Sequence, residues 1–225
     1  MISRGTKTFV DNFDRAQAIT TTPGMNGWTI KDTSSAGTPT YLCLTENGGA
    51  LKLLLASNSE AEIVTLFQND VLIYDVAQLQ QIWWIVQVAG IDAVTTLTMG
   101  VGSAQNDTDD SVATSAWFRM EGSASTTNLV VETDDATNDN PDVATGETLA
   151  AVYKKLAIDF TNGLSDVRFF CDGSRVASGT TFDMSDLTAG LNVQPWIQLQ
   201  KASGTGVPSV TIAQFGAQYE WAYGA

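Results

Sequence analysis

Apolar and polar residues alternate at period two along much of this chain, and the long 3.6-residue periods of amphipathic helices are missing. The clearest run follows Tyr153, where Leu156, Ile158 and Phe160 alternate with Lys155, Ala157 and Asp159 and predict a strand with one buried face. Asn162-Gly163 turns it. Residues 167–171 form an aromatic-rich strand, and Asp172-Gly173, tolerant of positive φ, makes the tight turn of a hairpin that returns through residues 175–177.

The same pattern predicts strands at residues 8–13, 28–31, 41–45, 51–56, 62–67, 82–89, 94–100, 112–120, 128–133 and 193–201. Asn47-Gly48-Gly49 joins 41–45 to 51–56 as a hairpin, and 82–89 with 94–100 reads as an antiparallel pair. In the last strand Phe215, Ala217, Tyr219 and Trp221 line one face. Asp75 predicts the N-cap of a single helical turn. Two polar stretches, 103–110 and 134–146, read as solvated loops, the second because it holds four Asp, two Asn, a Pro and a Gly. Two inward faces need two sheets, so the expectation is an all-β antiparallel sandwich over residues 28–225, with residues 1–27 as an N-terminal arm or a first strand.

Composition narrows the function. At 225 residues and 44% hydrophobic content the chain can bury the core of one domain. Its 25 acidic residues against 11 basic ones give a net charge of -14, which repels phosphate backbones and anionic lipid and argues against nucleic acid or membrane as partner. The most apolar stretch, 82–101, is interrupted by Gln87, Gly90 and Asp92 and suits strands better than a membrane span. Residues 1–8 lack the apolar core of a secretory signal, so synthesis in a cytoplasm is expected. Histidine is absent, which removes Ser-His-Asp and Cys-His nucleophile systems and His-ligated zinc. Cys43 and Cys171 fit no metal spacing and are expected as buried free thiols.

Residues 155–160, an alternating strand, and 167–176, an aromatic-rich strand closing on Asp172-Gly173 before a return strand, resemble the sequence habit of the concanavalin A-like, laminin-G-like jelly rolls. The order of elements is similar from Tyr41 to Trp221. Residues 191–201, from Leu191 through Pro195-Trp196 to Lys201, are further similar to tailed-phage virion proteins of this fold, the capsid decoration or cement proteins. That resemblance implies a jelly-roll sandwich on the outer capsid surface, with the major capsid protein and sister copies, as a homotrimer, for partners.

Candidate chemistry is sparse. Glycoside hydrolysis needs two carboxylates facing a cleft, and the Glu-x-Asp-x-x-Glu strand of one such family is absent; Glu132-Thr133-Asp134-Asp135 comes nearest and reads as a solvated strand end. Oxygen ligands for calcium abound in 107–110 and 134–142 without the spacing of an EF-hand, so these loops read as surface charge and no cofactor is expected, calcium being the one ion they leave open. Of Trp28, Trp83, Trp84, Trp117, Trp196 and Trp221, most are expected in packing. Adjacent Trp83 and Trp84 must point to opposite sides of a strand. Phe9, Val10 and Phe13 of the N-terminal segment, with Trp28 and Trp84, are the expected capsid or subunit contacts. The resulting expectation is a non-enzymatic virion structural protein that decorates and stabilises a capsid. The alternative is a glycan-binding, lectin-like module of a phage fibre or spike, and a glycan hydrolase stands third.

Overall fold

The alternating runs form sixteen β-strands among the residues that the computed structural model describes, 3–14, 19–46, 48–187 and 191–223. In chain order they are β1 (Ser3–Asp11), β2 (Thr29–Asp32), β3 (Thr40–Leu44), β4 (Ala50–Leu54), β5 (Glu62–Phe67), β6 (Tyr74–Asp75), β7 (Leu79–Ala89) and β8 (Thr95–Gly102). There follow β9 (Ser115–Glu121), β10 (Asn128–Asp134), β11 (Asp139–Thr148), β12 (Lys154–Asp159), β13 (Arg168–Cys171), β14 (Ser174–Val176), β15 (Asn192–Lys201) and β16 (Ser209–Tyr223). The first sheet runs β14-β13-β12-β7-β16-β4-β3, with β1 also on β16; the second runs β11-β10-β9-β8-β15-β5-β2, with β6 on β15. The pairings are antiparallel.

Each sheet turns one face inward. Ile82, Trp84, Val86 and Val88 of β7 share one buried core with Leu97, Met99 and Val101 of β8 and Phe118 of β9. Trp84 lies 4.5 Å from Phe215 and 5.9 Å from Trp28, ring centre to ring centre, and Phe13 lies 5.7 Å from Trp28. The Trp84 indole N–H reaches across the sandwich to the Gly100 carbonyl at 3.3 Å, and the Trp28 N–H donates to Asp11 Oδ2 at 2.8 Å, so neither buried donor is stranded. A bulge between Ile212 and Gln214 resets the parity of β16, so that Val210 and Ile212 before it and Phe215 and Ala217 after it all face the core.

Several expectations need correction. Residues 3–11 pair along β16 as a first strand, one of the two forms expected of the N-terminal segment, but Phe13, Trp28 and Trp84 are at most 1% exposed. Those three are core residues and have no surface to offer a partner. Phe9 packs half-buried against the same core, and Val10 alone of the expected contacts is open, at 43% exposure. Strands β7 and β8 lie in opposite sheets: β7 is already flanked by β12 and β16, so residues 90–94 arch across the sandwich and the two apolar faces stack. Residues 139–146 of the acidic stretch belong to the edge strand β11, where Pro141 is tolerated and exposure on both faces leaves no apolar alternation to read.

Other readings hold. Asp75 caps a single 3-10 turn, Val76–Gln78, by accepting from the Ala77 N–H at 3.0 Å. Asp172 and Gly173 take positive φ in the β13–β14 hairpin. Cys171 is buried and Cys43 partly so, and neither is in a disulfide. Asn47 of the predicted turn and the side chain of Trp221 lie outside the described residues.

One end of the sandwich is closed by an ion pair that no local pattern announces. Lys201 and Glu62 have fully buried side chains 3.8 Å apart, and the Lys201 ammonium also donates to the carbonyls of Ala56, Asn58 (2.9 Å) and Gly206 (3.1 Å). Removing one member leaves the other charge buried and unpaired. Lys201→Met is therefore expected to lower the unfolding free energy by about 3–5 kcal/mol in urea denaturation, and Lys201→Met/Glu62→Gln by less than the single change.

Candidate functional site

The outer face of the second sheet is covered by its own chain. Residues 103–114 cross it as a strap held at each step: Gln194 donates to the Ser103 carbonyl at 3.0 Å, Gln198 to the Asp107 carbonyl at 3.0 Å, and Thr98 to Asp109 Oδ2 at 2.6 Å. Val112 of the strap seals Trp117 and Trp196, whose rings lie 6.0 Å apart. Asp107, expected in a solvated loop, pairs with Lys31 at 3.0 Å.

Beside the strap, Arg119 gathers carboxylates. Its guanidinium lies 2.7 Å from Asp110, 3.0 Å from Glu121, 3.2 Å from Glu132, 3.7 Å from Asp109 and 3.9 Å from Asp142. Glu132, expected as a solvated strand end, is 6% exposed. Burial pushes its carboxyl up to about 7, against the opposing pull of Arg119. The guanidinium fills the space between the carboxylates, which is where an acid and base pair would need a glycosidic oxygen and a water. In the other acidic loop Asp135 accepts from the backbone N–H groups of Thr137, Asn138 and Asp186, so it organises the turn. Among the described residues no group of three or more acidic or Cys side chains is arranged to hold a metal ion.

The outer face of the first sheet is open and differently built. Because Trp84 faces the core, Trp83 faces out, reversing the expected roles of the pair. One register row crosses this face through Val10, Gly216, Trp83, Ala157, Phe170 and Arg175. The Trp83 indole lies flat over Gly216, where an added Cβ would sit 2.0 Å from Cζ2, so glycine is what lets the ring down onto the sheet. Its N–H donates to Gln214 Oε1 at 2.7 Å, and Gln214 is anchored in turn on Asn12 at 2.8 Å. The bulge in β16 is what aims Gln214 at the ring.

Between Trp83 and Phe170, whose backbones are two strand spacings or about 10 Å apart, the small Ala157 forms a floor. The hollow there measures 260 Å³ and is lined by Gln81, Lys155, Ala157, Phe170 and Gly173. That is the size of one small ring, below the usual range for drug-sized ligands. The Lys155 ammonium stands 4.9 Å from the Trp83 ring centre. Lys31, Arg119, Lys154, Arg168, Arg175 and Lys201 are in ion pairs, whereas Lys52 and Lys155, both on this face, are in none. Sequence alternation was enough to place one of Trp83 and Trp84 outside; it carried no signal for Phe170 and Lys155 as neighbours of that ring, since cross-strand register is non-local.

No family model matches this sequence, and no curated protein matches it. Solved structures do match its fold. A glycoside hydrolase family 16 endo-glucanase from Bacteroides ovatus superposes with a TM-score of 0.62 at 12% identity, over 92% of this chain and 98% of that one. The carbohydrate recognition domain of Emp47p gives 0.60 at 10% identity, over 94% of each chain. A protein of unknown function from Shewanella oneidensis MR-1 gives 0.60 at 8% identity, over 96% of this chain and 87% of that one. At such identities the likeness shows the architecture, an all-β, concanavalin A-like jelly roll of two antiparallel sheets, and nothing of the activity.

The Arg119 cluster has a pH signature. Raised from 4.5 to about 7 in the folded chain, the Glu132 carboxyl contributes stability that is fully present below pH 4.5 and is lost as pH rises through 7. Glu132→Gln removes that dependence. The thermal midpoint of the variant minus that of the parent should therefore climb by a few degrees between pH 4.5 and 7 and level off above; a difference that stays flat would contradict the burial-driven shift.

Proposed function

We propose that this chain is a non-catalytic, lectin-like module carried on a phage virion, holding a glycan in the trough of the first sheet. The observation that carries the reading is the hollow beside Trp83 in the row Trp83, Ala157, Phe170: Phe170 over the small floor of Ala157 accepts a flat, partly apolar sugar ring, and Gln81 supplies an amide for its hydroxyls. The structural neighbours named for carbohydrate recognition and glycan cleavage support it by architecture. Hydrolysis is disfavoured because the densest group of carboxylates has Arg119 at its centre. The virion setting rests on the resemblance of residues 191–201 to tailed-phage decoration proteins.

A second reading is the capsid decoration protein itself, bound on the outer capsid surface to the major capsid protein and to sister copies in a trimer. It is favoured by Val10 and Leu42, which are 43% and 56% exposed and face outward on the β1 and β3 side of the same sheet. Val10 and Leu42 would then replace the buried Phe13, Trp28 and Trp84 as contacts, and many weak contacts engaged together would brace the shell.

Affinity electrophoresis through gels containing polysaccharides, paired with an assay for new reducing ends, tests the lead reading. Retardation without release of sugar is expected, with Phe170→Ala cutting the retardation at least tenfold and Val10→Asp/Leu42→Asp leaving it unchanged. Release of reducing ends would make the chain a hydrolase. Absence of retardation, with a gain in heat resistance of undecorated capsids that Val10→Asp/Leu42→Asp abolishes, would move the assignment to decoration.

A further inference from the structure

Resting on the lectin-like reading, we infer that the trough takes an acidic sugar, a pyranose bearing a carboxylate, with that carboxylate at Lys155. The two ends of the trough differ in charge. Along β12 the outward residues are Lys155, Ala157 and Asp159, so the floor has a cation on one side and a carboxylate on the other. Asp159 faces Gln81 and Arg168 in register, and its Oδ1 accepts from the Thr161 N–H at 2.8 Å. This end suits hydroxyl groups: a carboxylate and an amide accept and donate, and a ligand carboxylate would be repelled by Asp159.

At the other end Lys155 is a cation without an ion pair in a chain of net charge -14. The nearby Asp172 forms no ion pair with the Lys155 ammonium; its Oδ1 accepts from the Lys155 backbone N–H at 2.8 Å. Arg168 and Arg175, which could have shared an anion, are drawn onto Asp166 at 2.7 and 3.4 Å. A ring seated against Phe170 thus meets the unpaired Lys155 ammonium at one end of the trough and the Asp159 carboxylate at the other. Charge complementarity therefore sets both the class of sugar and its direction in the trough. Dispersion against the ring alone would bind neutral and acidic sugars alike.

Titration calorimetry of the full chain with trigalacturonate and with its methyl-esterified form, which keeps the skeleton and loses the charge, decides the matter. At low salt the acid is expected to bind at least tenfold more tightly than the ester; Lys155→Gln, an exposed change, should erase that preference, and Lys52→Gln should keep it. Equal affinity of the parent for both forms would overturn the acidic assignment and leave the lectin-like reading standing. A preference that survives Lys155→Gln would likewise overturn it. Binding of neither form, together with no retardation by any neutral polysaccharide, would remove the lectin-like reading itself.

Discussion

The structure depends on the register of β7, and that register is fixed by Trp84. Wedged against Trp28 and Phe215, with its N–H on a carbonyl of the opposite sheet, this side chain has one place to sit. Side chains alternate at period two, so a slip by one residue would carry Trp84 and the other inward residues of β7 out to solvent. Holding Trp84 in the core holds Trp83 and Gln81 on the outside. Strand β16, between β7 and β1, keeps its apolar residues inward only by a bulge, and that same bulge puts Gly216 under the Trp83 ring and Gln214 beside it. The packing that makes the sandwich stable is thus also what shapes the trough on its surface.

Charge is arranged by the same economy. The strap over the second sheet and the edge strand β11 carry many acidic residues, and Arg119 draws five of their carboxylates and those of neighbouring strands together beside that face. Lys201 and Glu62 neutralise one another at the end of the sandwich. Among the described residues, Lys52 and Lys155 on the first sheet are in no ion pair. An acidic protein of this kind repels most anions at long range and can still hold one at short range where a cation stands alone.

Much of the fold was legible because strands announce themselves locally. The runs at 155–160, 167–171 and 193–201, the Asp172-Gly173 turn and the Asp75 cap each carry their own signature, and each stands where it was expected. Features that depend on partners distant in sequence were not legible. Residues 82–89 and 94–100 look like a hairpin until β12 and β16 are known to occupy both edges of β7. Glu132 looks solvated until Arg119 is placed opposite, and Lys201 looks like a strand end until Glu62 and three carbonyls close around it. The site followed the same rule: alternation separated Trp83 from Trp84, and only the fold could say which one faced outward, or that Phe170 stands across Ala157 from it.

The claim that the outer face of the first sheet is the binding face is tested most directly by hydroxyl-radical footprinting of the chain in complex with its retained polysaccharide. Protection is expected at Trp83 and Phe170, with Val112 and the strap unchanged. Protection confined to the strap and the second sheet, with Trp83 and Phe170 as reactive as in the free chain, would contradict the account.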